Sequence, residues 1–254
     1  MPNGTNTGGV VLGYLTPDLY NAHFAVALNG LLDWDARNSQ RVHKRGDVLH
    51  QISGPRVAAA RNDLVRAFLS GTAEWLLMLD SDMVFPRDLV DLLVEAAHWK
   101  QRPIVGALCF AGGRSGQIRP TLGVMVSNDP PRFETVWNYQ PNALNGVDYT
   151  GAACLLVHRS VYENLATRYG DNAHPWFAES EIGGQEYGED VTFCMRARAA
   201  GYPIFVHTGI KIGHMKMSVI DEEAYLAYRR GITEYGEDEY RDRELGRRFV
   251  GGAL

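Results

Sequence analysis

WLLMLDSDMVFP, Trp75 to Pro86, is the stretch whose reading decides the fold. An unbroken apolar run, Trp75–Leu79, meets two aspartates one residue apart, Asp80 and Asp82. Such a run reads as a strand buried on both faces, as in a parallel sheet. At its carboxyl end it emerges at the crevice where open α/β sheets bind ligands. Two carboxylates there are costly to desolvate unless a cation sits beside them. Acid-Ser-acid at a strand end suits a hard divalent cation and a phosphate-bearing substrate. Asp and Ser are also ordinary turn residues. The buried strand before them and the proline after them favour the functional reading.

The flanking sequence repeats one pattern. Val10–Leu15 reads as a strand closed by Thr16 and Pro17, and Asn21 caps a helix with Phe24, Leu28 and Leu31 on one face. Val48–Ile52 is a short strand. Pro55 precedes a helix carrying Val57, Ala60, Leu64 and Phe68, stopped at Gly71. Pro86 opens a helix with Leu89, Leu92, Leu93 and Ala96 inward, and Ile104–Phe110 is strand-like. Strands alternating with helices predict an α/β fold.

The second half changes character. Phe110–Gln117 reads as a mobile loop, Thr121–Ser127 and Phe133–Tyr139 as strands, Asn142–Thr150 as loop and Ala152–Val157 as a buried strand. Ser160 and Glu163 form a capping box for a short helix. Gly170–Gly188 is long, polar and glycine-bearing, which marks functional or disordered loops. A helix over Glu189–Ala200 stops at Gly201, Ile204–Val206 is a core strand, and Asp221 caps a helix to about Arg230.

Composition bounds the function. The 254 residues carry a formal charge of −5, which makes no global case for nucleic acid or an anionic membrane as partner. Cys109, Cys154 and Cys194 are far apart and form no C-x-x-C pair, so neither a zinc site nor a disulfide framework is indicated. They read as buried thiols of a reducing compartment. Residues 1–9 read as a flexible tail without the basic flank and apolar core of a signal peptide. No apolar run approaches the ~18–20 residues of a membrane span. A soluble, cytoplasmic protein is expected.

A second polar constellation lies in YGEDVTFCMRARAAGYPIFVHTGIKIGHMK, Tyr187–Lys216. Glu189 and Asp190 fall in the first turn of the expected helix, whose dipole favours an ionised carboxylate. Such a carboxylate can act as a general base; simple helix capping accounts for it equally well. His207 and His214 flank a strand end and a glycine turn. His214 acquires meaning if the fold brings it beside Asp82.

In their order and spacing, the D-x-D, the later E-D at a helix start, R-x-x-x-x-G-Y from Arg196, and a His beyond the next strand resemble the GT-A fold glycosyltransferases, close to the family-2 type. RNDLVRAFLSG, Arg61–Gly71, ahead of the D-x-D strand is also similar, and the resemblance runs from Val10 to about Lys216. It implies a GT-A-like three-layer α/β/α sandwich with a mostly parallel central sheet. Residues 10–110 would form the nucleotide-sugar half, 111–220 the acceptor and metal half of the same domain, and 221–254 a C-terminal helix and tail.

The activity implied is metal-dependent transfer of one sugar from a UDP- or GDP-linked donor to an acceptor hydroxyl, with inversion. Asp82 resembles the aspartate that ligates Mn²⁺ or Mg²⁺. Asp80 resembles the one that meets the donor ribose, or the metal through water. His214 looks like the late metal ligand and Asp190 like the base. Thr16 and Pro17 match positions lining the nucleotide base, and Gly151 and Ala152 those where backbone approaches the donor sugar. Lys216 would sit close to the diphosphate. Arg61, with Asn62, matches a place near the nucleotide; a helix-surface ion pair explains it as well. The Q-x-x-R-W motif of processive synthases is absent, which points to a single, non-processive transfer. The acceptor stays open: a glycan, a protein side chain, a lipid-linked carrier or a modified DNA base. Trp176 either stacks on a substrate ring or belongs to the core. Two rival readings are a pyrophosphorylase-like nucleotidyltransferase and a non-catalytic nucleotide-sugar or glycan-binding module. The first expects a Gly-rich arginine loop and a lysine after the first strand, where this chain has GYLTPDLYNA.

Overall fold

A computed structural model describes residues 9–17, 21–42, 48–112 and 118–216, and beyond these Glu222, Leu226, Arg229 and Arg230. The chain divides into two compact units, Met1–His214 and Met215–Leu254. The expected tail (apart from Gly9), residues 113–117 of the expected Phe110–Gln117 loop, and most of the helix expected from Asp221 lie outside the described residues.

The first unit runs β1 (Val10–Thr16), α1 (Ala22–Arg37), β2 (Val48–Ile52), α2 (Val57–Ser70), β3 (Trp75–Asp80), β4 (Met83–Val84), α3 (Leu89–Ala96) and β5 (Ile104–Leu108). It continues through β6 (Phe110–Gly112), β7 (Ile118–Pro120), β8 (Leu122–Asn128), β9 (Pro131–Thr135), β10 (Leu144–Val147), β11 (Tyr149–Thr150), β12 (Cys154–His158) and α4 (Arg159–Tyr169). It closes with β13 (Ser180–Ile182), β14 (Gln185–Tyr187), α5 (Glu189–Ala199), β15 (Ile204–Lys211) and β16 (Gly213–His214).

Seven strands build one mixed sheet in the order β10-β15-β5-β12-β3-β1-β2. Pairing is parallel for β1 with β2, β1 with β3 and β5 with β15, and antiparallel around β12 and β10. Both halves of the chain therefore share one sheet. The central strands are apolar on both faces, and each face has its own core. Leu76 and Met78 of β3 pack on one side with Val65 and Phe68 of α2, Tyr162 of α4 and Phe193 of α5. Trp75, Leu77 and Leu79 pack on the other with Phe24 and Leu28 of α1 and Leu89 and Leu93 of α3. The period of two along β3 thus places helices on both faces, an α/β/α sandwich. Fully burying each such side chain contributes about 1.5–3 kcal/mol.

Local chemistry sets the helix ends. The Asn21 side chain accepts from His23 N and starts α1. Gly71 ends α2, and the guanidinium of Arg159 takes the carbonyls of Phe68, Leu69 and Gly71, groups that a helix end leaves unpaired. Pro86 does not open α3. It precedes a turn in which Leu89 N donates to Pro86 O, and the helix begins at Leu89.

Three further expectations are corrected. Helix α4 is capped by His158, whose Nδ1 accepts from Ser160 N, and Glu163 instead lies 3.7 Å from Arg159. The reason is that β12 runs directly into α4, leaving His158 as the last extended residue. Asn142–Thr150 is not loop. β10 is an edge strand of the main sheet, and β11 joins β8 and β9 in a small sheet. Of its four residues, Leu-Asn-Gly-Val, only Val147 is buried, so the sequence carries little strand pattern. The Gly170–Gly188 segment is partly core, with Trp176 and Phe177 buried among Phe68, Tyr162 and Phe193. Asn62 pins it, donating to Phe177 O and accepting from Trp176 N. The rest folds as the β13–β14 hairpin, with Gly183 and Gly184 at positive φ in its turn. Trp176 is a core residue.

Candidate functional site

The site forms at the carboxyl end of β3. In register, Leu15 of β1 lies beside Asp80, so Thr16 and Pro17 follow immediately next to the D-x-D. Thr16 is buried; its Oγ1 shares a 2.6 Å hydrogen bond with His50 Nε2, and its carbonyl accepts from Ser53 N. Pro17 is exposed. His50 also stacks on Tyr14, with ring centroids 4.7 Å apart. Nothing local in the sequence marks His50; only the β1–β2 register brings it here.

Asp82 and His214 meet. The two-residue strands β4 and β16 pair Met83 with His214 and Val84 with Gly213, which carries the late histidine back to the D-x-D. His214 Nε2 lies 2.9 Å from Asp82 Oδ2, and Nδ1 lies 2.8 Å from the carbonyl of Phe110. A carbonyl only accepts, so Nδ1 carries the proton. Nε2 is then turned to a carboxylate, an arrangement that is favourable only with a proton or a cation between them. An Nδ1–H held by a carbonyl is also the usual support of a metal-ligating histidine.

This pair fits a divalent cation. Cis ligands of an octahedral ion with bonds of about 2.1 Å stand about 3.0 Å apart, close to the observed 2.9 Å. Among the described residues, no group of three or more His, Cys, Asp or Glu side chains converges as a metal cage. A cation held by one or two side chains completes its shell with substrate phosphates and water, as Mg²⁺ commonly does.

The second cluster centres on Arg61. It is 3% exposed, so the helix-surface reading gives way to a buried ion pair. Its Nη2 donates to Asp80 Oδ1 at 2.8 Å and Oδ2 at 3.1 Å. Longer contacts run from Nε to Glu189 Oε1, 3.4 Å, and from Nη1 to the carbonyl of Ala152, 3.3 Å. Burial opposes the guanidinium charge. The fields of Asp80, Glu189 and Asp190 and the hydrogen bond to Asp80 outweigh it and raise the Arg61 pKa. Asp80 is thus engaged by Arg61, while a carboxylate's remaining lone pairs leave room for another ligand.

Asp190 stands in the first turn of α5. Its Oδ1 accepts from Val191 N at 2.8 Å. A β-carbon on Gly151 would stand 3.6 Å from Asp190 Oδ2, so the backbone at Gly151 and the carboxyl share one small space. Burial, then the neighbouring Glu189 charge, raises the Asp190 pKa above the ordinary 3.8; the Val191 N–H and Arg61 pull the other way. The helix terminus alone predicts a carboxylate held fully ionised; desolvation outweighs it here.

The structure therefore gathers Arg61, Asp80, Gly151, Ala152 and Asp190 in one cluster and Asp82 with His214 in the other, with Thr16 beside the D-x-D. Lys216 is exposed and belongs to the unit that begins at Met215. His207, the other histidine of the second constellation, donates no side-chain contact to these clusters; its Nδ1 accepts from Gly209 N. The three cysteines are buried and free, and burial pushes the Cys109 and Cys194 thiols up to about 12, so they are unreactive.

The architecture is GT-A-like. GalNAc-T7, in a crystal structure with UDP, GalNAc and Mn²⁺, superposes with a TM-score of 0.54 at 11% identity over 93% of this chain. That match covers 49% of the GalNAc-T7 chain, so the present chain spans about half its length. A197 from STIV matches with a TM-score of 0.50 and 16% identity, over 82% of this chain and 86% of the viral one. Likeness at such identity is likeness of fold. No protein-family model and no curated protein matches the sequence. Among the described residues no helix is long and apolar enough to cross a membrane.

Proposed function

We propose that this chain is a metal-dependent glycosyltransferase that moves one sugar from a nucleoside-diphosphate sugar to an acceptor hydroxyl, with inversion. The observation that carries the reading is the 2.9 Å approach of His214 Nε2 to Asp82 Oδ2 at the end of a buried strand. The GT-A-like fold and its likeness to a protein crystallised with UDP, GalNAc and Mn²⁺ support it.

Asp82 and His214 would hold Mn²⁺ or Mg²⁺, which when bound neutralises charge on the departing diphosphate. Thr16 and Pro17 would border the nucleotide. Asp190 is the proposed base. Its carboxylate takes the proton of the acceptor hydroxyl while that oxygen bonds to the anomeric carbon and the bond to the diphosphate breaks. Its raised pKa brings the proton affinity nearer to the working pH, which favours proton transfer. The proposed role of Lys216 on the diphosphate rests on the sequence resemblance.

The test is incubation with UDP- and GDP-sugars and Mn²⁺, with and without a panel of hydroxyl acceptors, read by mass spectrometry. Slow donor hydrolysis that gives way to transfer supports the reading. Saturable nucleotide binding with no cleavage of any donor contradicts it and leaves a binding module.

A further inference from the structure

One buried guanidinium fastens three separate elements at the site. Arg61, on α2, binds Asp80 at the end of β3, the carbonyl of Ala152 just before β12, and Glu189 at the start of α5. Its neighbour Asn62 ties the same turn of α2 to Trp176 and Phe177. Asp80 belongs to the donor-side D-x-D, and Glu189 precedes the proposed base. Arg61 therefore touches both edges of the proposed reaction space.

We propose that Arg61 is a positioning residue that sets the distance between the donor-side carboxylate Asp80 and the acceptor-side E-D pair, with Glu189 as its anchor and Asp190 left to the acceptor. This rests on the glycosyl-transfer reading above. It separates the two acids of the E-D pair by geometry. Glu189 Oε1 faces the guanidinium, whereas Asp190 Oδ2 faces the space beside Gly151. The planar, five-donor fork of arginine serves three acceptors at once; the ammonium of lysine, a point charge on a flexible stem, does not reproduce that geometry. Small displacements of a reacting group are costly, since an error of about 1 Å lowers rate by about 10²-fold.

The test compares Arg61→Lys and Glu189→Gln with the wild type in three measurements: turnover, UDP–Mn²⁺ affinity, and the backbone amide signal of Val191, which reports the Asp190 Oδ1 contact. Arg61→Lys is expected to lower kcat by about 10²-fold, to leave nucleotide affinity in place and to move the Val191 signal. Glu189→Gln retains an acceptor oxygen for Arg61 and is expected to lower kcat by less than about tenfold, below the range for loss of a base. Parallel loss of nucleotide affinity and kcat in Arg61→Lys would make Arg61 a nucleotide ligand and overturn the proposal. So would an unmoved Val191 signal in a folded Arg61→Lys protein, or a Glu189→Gln defect as deep as that of Asp190→Asn. If Arg61→Lys does not fold, Glu189→Ala, which removes the acceptor of Arg61 Nε, carries the test: the Val191 signal should move, and an unmoved signal would overturn the proposal. If the wild type cleaves no donor, the transferase reading fails, and the Val191 signal alone decides whether Arg61 positions Asp190.

Discussion

His214 Nε2 and Asp82 Oδ2 stand 2.9 Å apart across 132 residues of chain. The contact exists because β16 turns back to pair with β4, the short strand directly behind the D-x-D. His214 is further fixed by the carbonyl of Phe110, where the chain leaves β5 for β6. Three segments thus converge on one imidazole at the carboxyl end of the sheet. The arrangement sets an imidazole nitrogen and a carboxylate oxygen side by side, the two atoms proposed to hold the metal.

Removing either proposed ligand should weaken metal binding without touching the core, since the Asp82 side chain is 42% and the His214 side chain 19% exposed. Asp82→Asn and His214→Ala are expected to lower Mn²⁺ affinity in the presence of UDP or GDP by at least about 10–100-fold, the range seen when even supporting groups of a metal site are lost. Titration calorimetry measures this, and circular dichroism should be unchanged. Chelation of the metal should stop transfer in the wild type.

Asp190→Asn keeps shape and removes the proposed base. Transfer is expected to fall by ~10²–10⁴-fold with nucleotide binding retained. The same variant has a stability consequence whose sign follows from the raised pKa. A carboxyl whose folded pKa lies above its unfolded one favours folding most when protonated, and that advantage is lost as pH rises through the folded value. At neutral pH the buried charge is therefore unfavourable, so Asp190→Asn should raise Tm there. The gain should shrink as pH falls through the folded pKa toward the ordinary 3.8. Thermal melts across that window check it, and a gain that grows on acidification would contradict the assignment.

Much of this was legible in the sequence because the signals were local. The apolar run Trp75–Leu79, the cap at Asn21 and the stop at Gly71 each depend on residues within one turn or strand, and β3, α1 and α2 follow them. The long-range parts were not legible. Arg61 reads equally as a surface ion pair until β3 and α5 close over it. His50 gains its place from register with Tyr14, and β10 becomes a strand only by pairing with β15. The cap of α4 moved to His158 because β12 leaves no loop before the helix. Such features depend on which segments meet, and no short window encodes that.

Gly151→Ala separates binding from chemistry. The added β-carbon would meet Asp190 Oδ2 at 3.6 Å and Thr121 at 3.8 Å, ordinary contact distances, so stability should change little. It would fill the space beside the proposed base. Turnover should fall while Tm and nucleotide affinity hold. A loss of Tm comparable to that of a core truncation would show that Gly151 serves the fold instead.

Asn62→Leu tests the pin beneath the site. It removes the partners of the buried Phe177 carbonyl and Trp176 N–H. Each buried group left unpaired costs about 1–3 kcal/mol, so for the two groups urea unfolding should show a loss of about 2–6 kcal/mol. An unchanged midpoint would mean that the segment around Trp176 holds without this residue.

The most direct test of the central claim is a crystal of the protein with UDP or GDP and Mn²⁺, with the metal located by anomalous scattering. The account predicts one Mn²⁺ peak within bonding distance, about 2.0–2.6 Å, of both an Asp82 carboxylate oxygen and His214 Nε2, with diphosphate oxygens completing its shell. Nucleoside diphosphate bound with the metal away from Asp82 and His214, or with none there, would contradict it.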